Sequence, residues 1–136
     1  MDLQRARDFL RDNHRAVMAT HNPSGRLQLS PVTVGVDDAG RVIVSTRETA
    51  VKVRNLNRDP RVSFCAMNDR FYGDWVQIDG EAAIVHLPEA MELLVDYYRT
   101  ISGEHPDWDD YRAAMVRDKR CLIRIRIEHA GPDRHG

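Results

Sequence analysis

The chain has only two cysteines, no long apolar run and almost no net charge, and each shortage removes a class of protein. Cys65 and Cys121 stand in separate strand-like apolar runs without metal-ligand spacing, so they read as buried thiols of a reducing compartment rather than a disulfide. No stretch approaches the length of a membrane span, and Met1-Asp2-Leu3-Gln4-Arg5 opens with no apolar segment behind it, which points to the cytoplasm. Twenty basic residues nearly cancel twenty-one acidic ones, so bulk charge recruits neither nucleic acid nor a membrane surface. Any attraction for anions must be local. Internal repeats, linkers and low-complexity segments are missing, as are a metalloprotease helix signature, a paired-cysteine metal site and a nucleophile elbow. Hydrolysis therefore has little support.

What remains is one domain of 136 residues, long enough to bury roughly two thirds of the surface its unfolded form exposes. Leu3, Ala6, Phe9 and Leu10 recur at helical spacing, which predicts a short amphipathic helix ending near Asn13 and lying over one end of the core. Strand-like runs follow at Ala16 to His21, Leu27 to Val36 and Val42 to Thr46, separated by the turns Asn22-Pro23-Ser24-Gly25 and Asp37-Asp38-Ala39-Gly40. Within the second run the apolar phase changes, from Leu27 and Leu29 to Val32, Val34 and Val36. That change predicts a bulge at Ser30-Pro31, with backbone left free there for a ligand or for a barrel corner.

Val62 to Met67 and Trp75 to Val85 read as further strands. In the longer one Val76, Ile78, Ala82 and Ile84 face one way, while Trp75, Gln77, Asp79 and Glu81 form a polar face that needs solvent or a partner. A helical stripe from Leu87 to Ile101 precedes Gly103, and a second helix starts near Asp107. Ile123, Ile125 and Ile127 alternate with arginines in a closing strand. Six strands in hairpin-like order, with helices inserted late, define an α+β class built on an antiparallel barrel.

The most site-like segment runs from Val42 to Arg61. A strand ends in Ser45 and Thr46, and Arg47, Thr49 and Lys52 lead into a small basic helix. Hydroxyls, cations and free amides at a helix start suit an anion, above all a phosphate. Val53 and Leu56 should pin the helix, leaving Lys52 and Asn55 on an adjoining face. Glu48, four residues before Lys52, is placed for a helical ion pair weak enough to yield to a phosphate. His105, Asp107, Asp109 and Asp110 suit a divalent cation, although such clusters more often cap helices.

The run Lys52-Val53-Arg54-Asn55-Leu56-Asn57-Arg58-Asp59-Pro60-Arg61-Val62-Ser63, preceded by Gly25-Arg26-Leu27-Gln28-Leu29-Ser30-Pro31-Val32, resembles the pyridoxamine 5'-phosphate oxidase-like split β-barrel family. Gly103 to Val116 resembles actinobacterial members that use the deazaflavin coenzyme F-420, and the likeness spans almost the whole chain. The resemblance implies a homodimer with two cofactor sites in the subunit seam. It puts Gln28, Ser30, Pro31 and Val32 along the ring, Ser45 and Thr46 at its edge or ribityl chain, and Thr49, Lys52 and Asn55 at the phosphate. Trp75 would arrive from the opposite subunit. Phe71 and Tyr72 are candidates for a substrate wall, with core packing an equal reading for Phe71. The implied activity is hydride transfer between F-420 and an electron-poor double bond of a small planar substrate, with the cofactor rather than a catalytic constellation carrying the chemistry. FMN on the same barrel, or storage of F-420 without turnover, are the rivals. Leu27 replaces a proline common in relatives, and the chain after Ile127 lacks their aromatic-glycine ending.

Overall fold

The computed structural model describes all residues from Met1 to Gly136. Helix α1 (Leu3–Asp12) begins where the Asp2 side chain accepts from the Arg5 amide at 2.8 Å, and it buries Ala6 and Leu10 against the sheet. The strands are β1 (Arg15–His21), β2 (Leu27–Thr33), β3 (Gly35–Val36), β4 (Val42–Arg47), β5 (Arg61–Met67), β6 (Trp75–Val85) and β7 (Arg120–Asp133). The remaining helices are α2 (Val51–Arg58), α3 (Met91–Ser102) and α4 (Trp108–Arg117).

All seven strands form one antiparallel sheet in the order β2-β1-β5-β6-β7-β4-β3. Its two edge strands, β2 and β3, are neighbours in the chain with only Val34 between them. The sheet must therefore curl until its edges nearly meet, giving an α+β half-barrel. Val34 sits fully buried at this seam, and its amide donates to the His14 carbonyl at 2.7 Å.

Two expectations change here. Seven strands replace six because the run from Leu27 to Val36 divides at Val34, its first part pairing with β1 and its second with β4. The bulge expected at Ser30-Pro31 is absent: Ser30 faces Met18 and Pro31 faces Val17 in unbroken register. The change of apolar phase has another cause. Leu27 and Leu29 lie on the outside of the sheet and Val32 packs inward, so the strand carries apolar residues on both faces. The register shifts fall instead in the β6–β7 pair, between Val76 and Ile78 and between Asp79 and Gly80. A Cβ at Gly80 would lie 2.4 Å from the Arg126 carbonyl oxygen, so the close approach at this shift requires glycine. Strand β7 also continues past Ile127, with Ala130 opposite Ile78 and Asp133 opposite Val76.

The main core fills the inside of the curl, where Met18, Phe64, Ile78, Ile123 and Ile125 pack with Leu10 of α1. Each such side chain contributes about 1.5–3 kcal/mol by leaving water. A second cluster lies on the outside of β4 and β7, where Ile43 and Leu122 pack under Leu94, Val95 and Tyr111 of α3 and α4. The Tyr111 hydroxyl donates to the Leu94 carbonyl at 2.6 Å, joining these helices. The Asp107 side chain accepts from the Asp110 amide at 3.1 Å and His105 Nδ1 accepts from the Asp107 amide at 2.9 Å, so this cluster works as the cap of α4.

Helices cover the outside of only one half of the sheet. On the other half the registers line up Leu29, Ala19 and Ser63 in one row and Pro31, Val17 and Cys65 in the next. Leu27 is 55%, Leu29 61% and Val17 38% exposed, which makes this a bare apolar face. Cys65 is half-buried on it, whereas Cys121 is buried on the inner face of β7, the face that carries Ile123 and Ile125; both thiols are free.

Candidate functional site

A cavity of about 710 Å³ opens where the bare face meets α3 and α4. One wall is the adjoining ends of β1, β2 and β5, with Arg15, Val17, Pro31, Val32, Thr33 and Met67. The other is Ser45 and Thr46 at the end of β4, Lys52 in the first turn of α2 and Arg120 at the head of β7. Tyr97, Tyr98, Tyr111 and Met115 close it from the helices. Pro31, Val32, Ser45, Thr46 and Lys52, singled out in the sequence, are thus brought around one space.

The electrostatics of this space are one-sided. Arg15, Lys52 and Arg120 line it and no carboxylate does. Partial burial, followed by the Arg120 charge, holds the Lys52 ammonium below the usual lysine range. Arg47 lies directly opposite Arg120 in the β4–β7 ladder. Like charges at such a position repel, and an anion held by Arg120 and Lys52 would offset that cost. Ala50, just ahead of α2, provides no side-chain cap, so the Val51 and Lys52 amides are also left to a ligand.

The expected ion pair between Glu48 and Lys52 does not form. Glu48 precedes the helix rather than standing on its face, and its carboxylate lies 2.6 Å from His86 Nδ1. Lys52 is left free for a ligand.

The structure relocates other expected residues. Asn55 does not share a face with Lys52: it is buried, its amide donates to Thr20 Oγ1 at 3.1 Å and Asn22 Oδ1 at 3.0 Å, and its oxygen accepts from Arg58. These bonds tie α2 to β1 and leave no group for a phosphate. Thr49 is exposed and outside the cavity, with its carbonyl accepting from Arg54. The Ser30 hydroxyl is buried without a partner, and Gln28 accepts from Thr20 at 3.2 Å, so neither side chain lines the cavity. Trp75 stands at a separate small groove beside Phe9. Phe71 does not pack in the core: it is 90% and Tyr72 89% exposed at the β5–β6 turn, their rings edge to face at 4.8 Å.

Arg120 and Tyr97 are the additions. The Tyr97 hydroxyl donates to the Thr33 carbonyl at 2.8 Å, so this side chain ties α3 to the end of β2 beside the cavity. Burial raises the phenol of Tyr97 and pushes that of Tyr111 up to about 12, keeping both neutral near pH 7. In sequence Arg120 reads, with Arg117 and Lys119, as basic charge closing the helix that starts near Asp107; the structure makes it the first residue of β7, paired with Arg47 of β4.

A half-barrel closed through a single residue, with a cation-lined cavity at its seam, defines the split β-barrel class. A family profile described as pyridoxamine 5'-phosphate oxidase matches residues 3–131, and the chain belongs to that family. A conserved hypothetical protein from Mycobacterium tuberculosis is similar at 28% identity and a TM-score of 0.77, covering 96% of this chain and 82% of its own. An F-420 reductase shares the fold at 18% identity and a TM-score of 0.70, covering 91% of this chain and 94% of its own. So does the heme storage protein of Vibrio cholerae, at 18% identity and a TM-score of 0.69, covering 98% and 96%. No helix is long and apolar enough to cross a membrane.

Proposed function

We propose that residues 1–136 act as one cofactor-binding unit of a homodimeric F-420-dependent oxidoreductase. The observation that carries this reading is the pair Lys52 and Arg120, which line the cavity from two different elements with no acid bonded to either. Unpaired cations this close to a bare helix start match a phosphate and the beginning of an acidic tail. Pro31 and Val32 offer the ring an apolar edge, and Ser45 and Thr46 offer hydroxyls to the polyol between ring and phosphate. When bound, the reduced deazaflavin supplies the hydride. The chain's own part is to orient that ring and keep water from the reacting face.

The bare apolar face beside the cavity supports the second copy. Exposed Leu27 and Leu29 need a cover, and a second copy of the chain is the proposed occupant. The same barrel with FMN is the nearest rival, because FMN carries the same phosphate. Fluorescence titration with F-420 and, separately, with FMN decides between them: tighter binding of F-420 is expected, and selective binding of FMN would overturn the assignment. Oxidation of reduced F-420 by a panel of quinones and enones then separates turnover from storage.

A further inference from the structure

We propose that Arg15 receives a carboxylate carried by the substrate, so that the substrate class is a planar organic acid rather than a neutral ring. This rests on the reading above only for where the deazaflavin lies.

Lys52 and Arg120 belong to the wall made by α2 and β7, and one anionic ligand accounts for them. Arg15 belongs to the opposite wall, as the first residue of β1. The fold does not employ its guanidinium. The acid within reach is Asp69 at 3.5 Å, with the two side chains 72% and 83% exposed, and so exposed a pair is worth under about 1 kcal/mol. Nothing in the barrel depends on a cation here.

The registers show what lies beside it. Arg15 is opposite Thr33 on one side and Met67 on the other, and Val17, two residues on, is opposite Pro31 and Cys65. Arg15, Val17, Pro31 and Met67 therefore share one face, with diagonal neighbours about 7–8 Å apart, within the span of an arginine side chain. Val17 and Met67, next to the Pro31 edge given to the deazaflavin, offer a planar molecule an apolar seat, and Arg15 stands at its margin. A guanidinium binds a carboxylate as a two-pronged fork. A lone guanidinium, without the second cation and helix start found on the other wall, suits a monoanion of that shape better than a phosphate.

The probes are anthraquinone-2-carboxylate and its methyl ester, which share the ring system while the ester exchanges the negative charge for a methyl group. Both are titrated calorimetrically into protein saturated with F-420, and into the Lys52→Ala, Arg120→Ala double variant, whose far wall no longer attracts anions. The acid should bind about tenfold tighter than the ester in both settings. Arg15→Ala should bring the acid to the level of the ester while leaving F-420 affinity and scattering mass unchanged, and Arg15→Lys should restore part of the difference. Equal affinity for acid and ester, or a preference that survives Arg15→Ala, overturns the proposal. Failure of F-420 to bind, with the acid preference intact in the double variant, overturns the cofactor assignment and leaves this one standing.

Discussion

Lys52 and Arg120 come to one cavity from a helix start and a strand head sixty-eight residues apart, and partial burial, with the arginine's charge adding, lowers the pKa of the lysine. An anion bound between them should raise the proton affinity of Lys52. Lys52→Ala is expected to weaken F-420 binding by about 1.5–3 kcal/mol, the range of a charge-assisted contact. The pH dependence has a definite sign: free Lys52 loses its charge at a lower pH than an ordinary lysine, so affinity falls as pH rises through that lowered value. Arg120→Gln should shift this fall to higher pH while weakening binding throughout. Fluorescence titrations across the alkaline range read both effects.

His86 keeps Glu48 away from the site. In His86→Ala the freed carboxylate can swing towards Lys52, and an exposed pair of that kind is worth about 0.3–0.5 kcal/mol. Cofactor affinity should fall roughly twofold, and Glu48→Gln added to His86→Ala should recover it. The same titration serves.

Asn55→Ala separates scaffold from site. Losing its bonds to Thr20 and Asn22 should lower stability by about 1–3 kcal/mol in denaturant unfolding. Affinity for F-420 under native conditions should stay close to that of the parent protein.

The bare half of the sheet gives the assembly its test. Leu29→Arg places a charge among Val17, Leu27 and Pro31 without touching the inner core, and small-angle scattering should then report single subunits. Cys65 lies on the same face, so a thiol reagent should label it faster in this variant than in the parent protein. Cys121 is the internal control: burial, with the Glu48 charge adding, pushes its thiol up to about 12, and it should stay unlabelled until the protein unfolds.

Much of this architecture can be read from local pattern. The α3 stripe through Leu94 and Val95, the Asp107 cap and the alternation at Val76, Ile78 and Ala82 all obey one helix or one strand at a time, and all recur in the structure. The misreadings arise where a residue answers to something distant. Leu27 and Leu29 break phase because their strand has a second apolar face, which no local pattern separates from a bulge. Asn55 follows Lys52 by three on the helix, yet its partners lie some thirty-five residues back on β1. Arg120 is invisible as a site residue until β7 is set beside β4.

That placement of β7 orders events during synthesis. It is hydrogen-bonded to β6 on one flank and β4 on the other, so it alone zips the four-stranded block β2-β1-β5-β6 to the pair β4-β3. A ribosome delivering the chain from its amino end presents both fragments, already linked through Val34, well before the strand that unites them. The nascent protein must hold an open trough, its oily lining wet, until the last arginine-isoleucine repeat emerges from the exit tunnel.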